Sequence, residues 1–279
     1  MRIVRTVPAL RGAVAQLRHR GGKVALVPTM GALHAGHLAL VRRAKRHARR
    51  VIVSIFVNPA QFAPHEDLGT YPRTFDSDIA ALVELGADLV WAPPADVMYP
   101  PDFATRIVPS GPASVGLEDR FRPHFFAGVA TVVAKLLTQC QPDYAMFGEK
   151  DFQQLKVVTQ LAKDLDLPVR IVGVPTVREG DGLALSSRNA YLAASERTTA
   201  PTLYRVLNAC AGRIIAGELV ARVLDEASAE IERAGFTLDY LEARDAQTLK
   251  PVESRAGSPI RLLVAARIGK TRLIDNIGV

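Results

Sequence analysis

The run Val51-Ile-Val-Ser-Ile-Phe-Val57 constrains this chain more than any other feature. Apart from Ser54 every residue in it is apolar, and most are β-branched. A strand with one wet face alternates polar and apolar residues. A strand without alternation is buried on both faces and belongs to a parallel sheet covered by helices. Shorter runs of the same character lie at residues 23–28, 88–93, 144–147 and 169–174. Between them the spacing turns helical. Leu38, Val41, Ala44 and Ala48 mark a helix over 36–49. A second runs from Thr74, a candidate N-cap, to a stop at Gly86. Others cover 127–138 and the stretch from Asp151 to 165. Strands alternating with helices predict βαβ units with right-handed crossovers, a Rossmann-like doubly wound parallel sheet of α/β class.

The pattern changes near residue 176. Helices are expected near 194–215 and 219–234, followed by strand-like runs at 238–243, 260–268 and 272–274. This predicts a Rossmann-like domain over 1–175 and a smaller α+β domain over 176–279. Residues 1–20 contain a helical pattern through Leu10, Val14 and Leu17. Residues 93–122, rich in Pro and Gly, read as an excursion over a sheet edge or a site.

In open parallel sheets, ligands bind beyond the carboxyl ends of the strands. Four expected loops at that edge carry unusual polar residues: His34 and His37, Asn58 and Gln61, Gly148 with Lys150 and Asp151, and the segment from Val177. The first is the most informative. Val27-Pro-Thr-Met-Gly-Ala-Leu-His-Ala-Gly-His37 reads as strand, turn and helix start, with Gly31 and Gly36 where positive φ or close approach to a ligand is needed. His34 and His37 share a face of the first helical turn. Three readings stand for them: surface histidines, two ligands of a metal ion lacking an obvious third, or donors to phosphate oxygens at a helix N-terminus. Lys150 suits a triphosphate and Asp151 a ribose, although a solvated lysine and a helix cap account for them equally. Ser186-Ser187-Arg188 is an ordinary turn or a clamp on phosphates. Gln61 and Gln154, as a pair, suit a small polar substrate. Asp76 and Asp78 are neighbours for Mg²⁺ or helix-start caps.

Hydrophobic residues make up 48% and charged residues 23%, the balance of a globular chain. No apolar run is long enough to span a bilayer, and the N-terminal residues lack the apolar core of a signal peptide. Cys140 and Cys210 make no disulfide framework. A cytoplasmic protein with no membrane partner is expected. The net charge of +7 is concentrated in Arg42, Arg43, Lys45, Arg46, Arg49 and Arg50. Without interleaved aromatics this reads as a solvated helix face, so no nucleic-acid partner is expected.

Taken together, the segment ending at His37, Phe56-Val-Asn-Pro-Ala-Gln-Phe62, Tyr71-Pro-Arg73, Phe147-Gly-Glu-Lys-Asp-Phe-Gln-Gln-Leu155 and Asp181-Gly-Leu-Ala-Leu-Ser-Ser-Arg-Asn189 closely resemble the pantoate–β-alanine ligase family, within the wider HIGH-motif nucleotidyltransferases. The resemblance covers essentially the full length. It implies that ATP adenylates the carboxylate of (R)-pantoate, releasing pyrophosphate. The amine of β-alanine then attacks the acyl-adenylate, giving pantothenate and AMP for coenzyme A biosynthesis. It also implies Mg²⁺, with no ligand assigned, and a homodimer.

By the same resemblance His34 and His37 bind ATP phosphates and stabilise developing charge, His37 matching the residue usually called the proton donor. Met30 matches a backbone contact to ATP, Gly148 and Asp151 ribose contacts, and Lys150 the phosphate lysine. Val177, Leu185, Ser186, Ser187 and Arg188 match further ATP contacts. Gln61 and Gln154 match pantoate-binding glutamines, with Gln61 also near β-alanine. Lys150 and Arg188 join the histidines as catalytic candidates, because the carboxylate and the triphosphate repel. An acyl-adenylate must be kept from water, so the 176–279 domain is expected to act as a lid, with 93–122 and the Ser-Ser-Arg loop as closing segments. One departure stands out. The family usually has Arg-Pro-Gly-His-Phe-x-Gly-Val, and this chain has Arg122-Pro-His-Phe-Phe-Ala-Gly-Val129. No role is carried onto Phe125.

Two other readings compete. A phosphopantetheine or nicotinate nucleotide adenylyltransferase shares the histidine motif but lacks the paired glutamines and is usually shorter. A nucleic-acid binder would use the 42–50 face and bind with strong salt dependence.

Overall fold

The structure is a computed structural model and describes all residues except 20, 64–65 and 255–258. The end of the expected 1–20 stretch and part of the loop expected through residue 72 therefore lie outside the described residues. Two compact units are present: Met1–Glu149 with Gln154–Pro175, and Lys150–Gln153 with Thr176–Val279.

The elements of the first unit run β1 (Arg2–Val4), α1 (Val7–His19), β2 (Val24–Thr29), α2 (Ala35–His47), β3 (Arg50–Ile55), α3 (Phe75–Glu84), β4 (Leu89–Trp91), α4 (Ala95–Met98), α5 (Glu118–Phe121), α6 (Phe125–Cys140), β5 (Tyr144–Gly148), α7 (Phe152–Asp164, whose first two residues belong to the second unit) and β6 (Arg170–Val174). The sheet is six-stranded in the order β1-β4-β3-β2-β5-β6, and every pairing is parallel. From β2 the chain steps one way to β3 and β4, then returns to the other side for β5 and β6. The switch point therefore lies between β2 and β5, where Ala25 and Leu26 pair with Tyr144 and Ala145.

Val51, Ile52 and Val53 are essentially solvent-free, as the opening run requires. Val51 and Val53 share a core with Val27, Val41, Leu82, Val90 and Met146. Each such side chain contributes about 1.5–3 kcal/mol on burial. The helical pattern through Leu10, Val14 and Leu17 is α1, and the unexpected element at the N-terminus is strand β1. It is three residues long, exposes Ile3 and buries only Val4, which is too short to show a period.

The second unit contains α8 (Ala194–Thr199), α9 (Thr202–Ile215), α10 (Val220–Arg233), β7 (Thr237–Asp245), β8 (Ile260–Ile268) and β9 (Thr271–Gly278). The strands form an antiparallel sheet in the order β7-β8-β9. Its core joins Leu207 and Ile214 of α9, Val223 and Ile231 of α10, and Leu262 and Val264 of β8. The helix expected over 194–215 is two helices. Pro201 cannot donate to the ladder of a continuous helix and instead sits at the start of α9. The last strand is longer than its apolar run because Asp275 and Asn276 are buried in it with polar partners.

Candidate active site

The turn between β2 and α2 is shaped by its backbone. Gly31 has φ +85° and Ala32 φ 51°, both in the left-handed region. A Cβ on Gly31 would lie 3.1 Å from Asp78 Oδ2 and 3.3 Å from Ile55 Cγ2. Gly36, expected to share this freedom, is an ordinary residue of α2. Asp78, buried in α3, holds the turn from the side. Its Oδ2 accepts from Ala32 N (3.0 Å), and its Oδ1 accepts from Leu33 N (2.9 Å) and from Thr74 Oγ1 (3.0 Å). Thr74 is thus at the N-cap position, but it serves the carboxylate rather than the helix end. An Asp78→Asn variant keeps one acceptor and sets an N–H against an amide N–H. We expect it to lower thermal stability by about 1–3 kcal/mol and kcat/KM for ATP by about ten-fold; wild-type melting and kinetics would contradict the clamp.

The two motif histidines form a capping box. His34 Nδ1 accepts from Gly36 N (3.1 Å), and His37 Nδ1 accepts from His34 N (3.3 Å). The rings lie 4.1 Å apart, tilted by 38°. Each Nδ1 acts as an acceptor, so a neutral ring carries its proton on Nε2 and presents Nε2–H as a donor. Both sit on the first turn of α2, where backbone N–H groups and the helix dipole attract anions.

After β3, Asn58 caps a short 3₁₀ turn (Pro59–Gln61) and is buried. Its Oδ1 accepts from Ala60 N (3.3 Å) and Tyr99 Oη (2.8 Å). Its Nδ2 donates to Gln61 Oε1 (3.0 Å) and Gly128 O (3.2 Å). Burial pushes the Tyr99 phenol up to about 12, so it remains a donor. Gln61 Nε2 points at Met30 Sδ (3.1 Å), which places two of the expected site residues in contact.

The departing segment has its own logic. Arg122 pairs in two-pronged fashion with Glu66 (Nε–Oε1 and Nη2–Oε2, both 2.7 Å) and donates to Gln61 O (3.2 Å). Its guanidinium lies 3.9 Å from the centre of the Phe125 ring. Phe125 therefore supplies a stacking face for the arginine that anchors Gln61, while His124 is exposed at the start of α6. Residues 93–122 are tied down as well: Ile107 N donates to Thr131 Oγ1 (3.0 Å), and Lys135 Nζ lies 4.3 Å from the Phe103 ring centre.

Gly148 ends β5 at the switch point. A Cβ there meets nothing within 4 Å, so packing does not explain the glycine. Gln154 is half-buried in α7.

The second unit holds the other expected residues. Lys150 Nζ and Asp151 Oδ2 are 3.9 Å apart. Val177 O accepts from Leu185 N (3.0 Å), closing a hairpin whose tip carries Asp181. Arg197 binds that carboxylate at 2.6 Å and holds it below the usual range. Ser186 Oγ accepts from Arg188 N (3.2 Å), capping the 3₁₀ turn Ser187–Tyr191. The Ser-Ser-Arg segment is thus a built turn.

Sequence reasoning missed Tyr99, Arg122 with Glu66, and the fixing role of Asp78. Among the described residues no group of three or more His, Cys, Asp or Glu is arranged to hold a metal ion, and Asp78 is committed to backbone amides and Thr74. Nor is any helix among them long and apolar enough to cross a membrane.

Comparison with known proteins extends over the whole chain. Residues 2–278 match the profile described as pantoate-beta-alanine ligase. Pantothenate synthetase 2 of Bradyrhizobium diazoefficiens is 65% identical over 277 residues, 99% of this chain and 98% of the relative. The Nitrobacter hamburgensis pantothenate synthetase is 64% identical over the same shares. The crystal structure of the Thermus thermophilus pantothenate synthetase superposes with a TM-score of 0.93 at 49% identity, covering 99% of both chains. The Francisella tularensis pantoate-beta-alanine ligase, solved in complex with beta-gamma ATP and beta-alanine, gives 0.83 at 35% identity, covering 99% of this chain and 97% of that one. A full-length profile match, relatives above 60% identity and a shared fold lead to one conclusion: the chain belongs to the pantoate–β-alanine ligase family, whose members are also called pantothenate synthetases.

Proposed function

We propose that this chain condenses (R)-pantoate with β-alanine through a pantoyl-adenylate, using His34, His37, Lys150 and Arg188 on the phosphates and Gln61 and Gln154 on pantoate. ATP-dependent condensation is the reaction of the family, and the chain is a ligase of that kind. A pantoate carboxylate oxygen attacks the α-phosphorus of ATP, and the bond to the bridging oxygen breaks to release pyrophosphate. The amine of β-alanine then attacks the acyl carbon, loses a proton and displaces AMP.

The observation that carries this reading is the histidine capping box. With each Nδ1 accepting from the backbone, each neutral ring carries its proton on Nε2 at a helix N-terminus, a donor suited to oxygens that gain charge during transfer. His37 is the proton donor among them. Lys150 and Arg188 offset the repulsion between carboxylate and triphosphate. Met30 and Val177 offer backbone contacts to ATP, together with Leu185, Ser186 and Ser187. Gly148 and Asp151 take the ribose. Gln61, oriented by Asn58 and Arg122, is set to bind pantoate and to border the β-alanine position.

ATP enters as its magnesium complex, the ion travelling as part of the substrate. Among the described residues no group of three or more His, Cys, Asp or Glu is placed to hold a resident ion. The enzyme works as a homodimer in the cytoplasm, a reading supported by the family resemblance and by two free, buried cysteines; a sedimentation mass of one chain would contradict the dimer. The experiment that tests the function is exchange of labelled pyrophosphate into ATP with pantoate present and β-alanine absent.

A further inference from the structure

Lys150 follows β5 in sequence, yet Lys150–Gln153 packs with the second compact unit. The cause is a polar pair in β9. Asn276, 2% exposed, donates from Nδ2 to the Lys150 carbonyl oxygen at 2.8 Å and accepts from Arg261 Nε at 2.6 Å. Arg261 in turn lies 4.3 Å from the centre of the Phe152 ring, gripping the same segment two residues on. Next to Asn276, Asp275 binds Arg178 through both oxygens, at 2.6 and 2.8 Å. Arg178 also donates to Gly182 O (3.0 Å), inside the hairpin that leads to Ser186 and Arg188. One dipeptide of the last strand thus holds the backbone from which Lys150 springs and the base of the hairpin before the Ser-Ser-Arg turn.

We infer that Asn276 is a positioning residue for Lys150, fixing the main chain of the phosphate-binding lysine through its side-chain amide. The inference rests on the phosphate role proposed for Lys150. Its physical basis is that a lysine side chain has four rotatable bonds and a mobile charge. The ammonium reaches a phosphate reproducibly only if the Cα beneath it is fixed. Both hydrogen-bonding faces of the buried Asn276 amide are engaged, so loss of the donor leaves the Lys150 carbonyl without this partner.

Asn276→Asp is the sharpest test. It is isosteric and keeps the acceptor for Arg261, but it sets oxygen against the Lys150 carbonyl oxygen. Pyrophosphate exchange is measured against ATP and against pantoate in the wild type, N276D, K150M and the double variant, with melting temperatures throughout. We expect N276D to raise KM for ATP about ten-fold with KM for pantoate unchanged, and to add less than about two-fold in the K150M background. If N276D costs the same factor with and without Lys150, or raises both KM values alike in step with lost stability, the inference is overturned while the Lys150 role stands. If K150M itself leaves ATP use intact, the Lys150 role and this inference fall together. Asn276→Ser, with a smaller donor that does not span the distance, is run alongside. It must show the same ATP-specific, Lys150-dependent loss, and an additive loss overturns the inference even where N276D fails to fold.

Discussion

Replacing His37 by alanine is expected to lower pantoate-dependent pyrophosphate exchange by about 10²–10⁴-fold, the range of a lost proton donor, with the fold intact. The same ring has a second duty, because its Nδ1 accepts from His34 N and closes the capping box. Loss of the cap costs about 1 kcal/mol, visible as a small fall in melting temperature. His37→Gln separates the two. Glutamine is at home at this position of a capping box and restores the acceptor, while its amide N–H₂ can donate a hydrogen bond but cannot give up a proton as an imidazole can. The account predicts that His37→Gln melts like the wild type and remains as slow as His37→Ala. Near-normal exchange in either variant would reject the donor role.

Gly128→Ala is the second large effect, and it is steric. Gly128 lies in α6 against the turn that carries Gln61. A Cβ built there falls 2.2 Å from Ala60 O, 2.5 Å from Ala60 C and 2.8 Å from Gln61 Cα. These are backbone atoms with no rotamer to escape into, so helix and turn must separate. The bond from Asn58 Nδ2 to Gly128 O stretches with them. We expect a loss of about 1–3 kcal/mol, the usual cost of overpacking. Displacement of Gln61 is expected to reduce kcat/KM for pantoate by about 10–100-fold. Gly212→Ala in α9 is the control: a Cβ there meets nothing within 4 Å, and alanine in a helix interior gains about 0.5–1 kcal/mol over glycine. Opposite signs at the two glycines, read by thermal melting, separate packing from helix propensity. Stability unchanged in Gly128→Ala would contradict the close approach.

What was legible in the sequence follows from range. The buried run at 51–57 and the helical spacing after His37 are local patterns, and they gave the doubly wound sheet and the sites of its loops. The strand order was not legible, since no local pattern says that β2 lies between β3 and β5. Strand β1 was too short to carry a period. The histidines, Gln61, Lys150 and Ser186 were read from contiguous motifs.

The residues that hold them are far away in sequence. Glu66 and Arg122 are 56 positions apart, Asn58 and Tyr99 are 41 apart, and Lys150 and Asn276 are 126 apart. A lone Asp78 reads as a cap or a metal neighbour until its amide partners are seen. The Phe125 departure looked like a lost histidine. In the fold it is a face for Arg122, which ties Glu66 to the Gln61 turn.

The central claim is that pantoate is activated by adenylation before the amine is needed. Exchange of labelled pyrophosphate into ATP, followed with pantoate present and β-alanine absent, tests it most directly. The account predicts exchange that saturates with pantoate and vanishes without it. Exchange that proceeds without pantoate, exchange that requires β-alanine, or none from well-folded protein would contradict it.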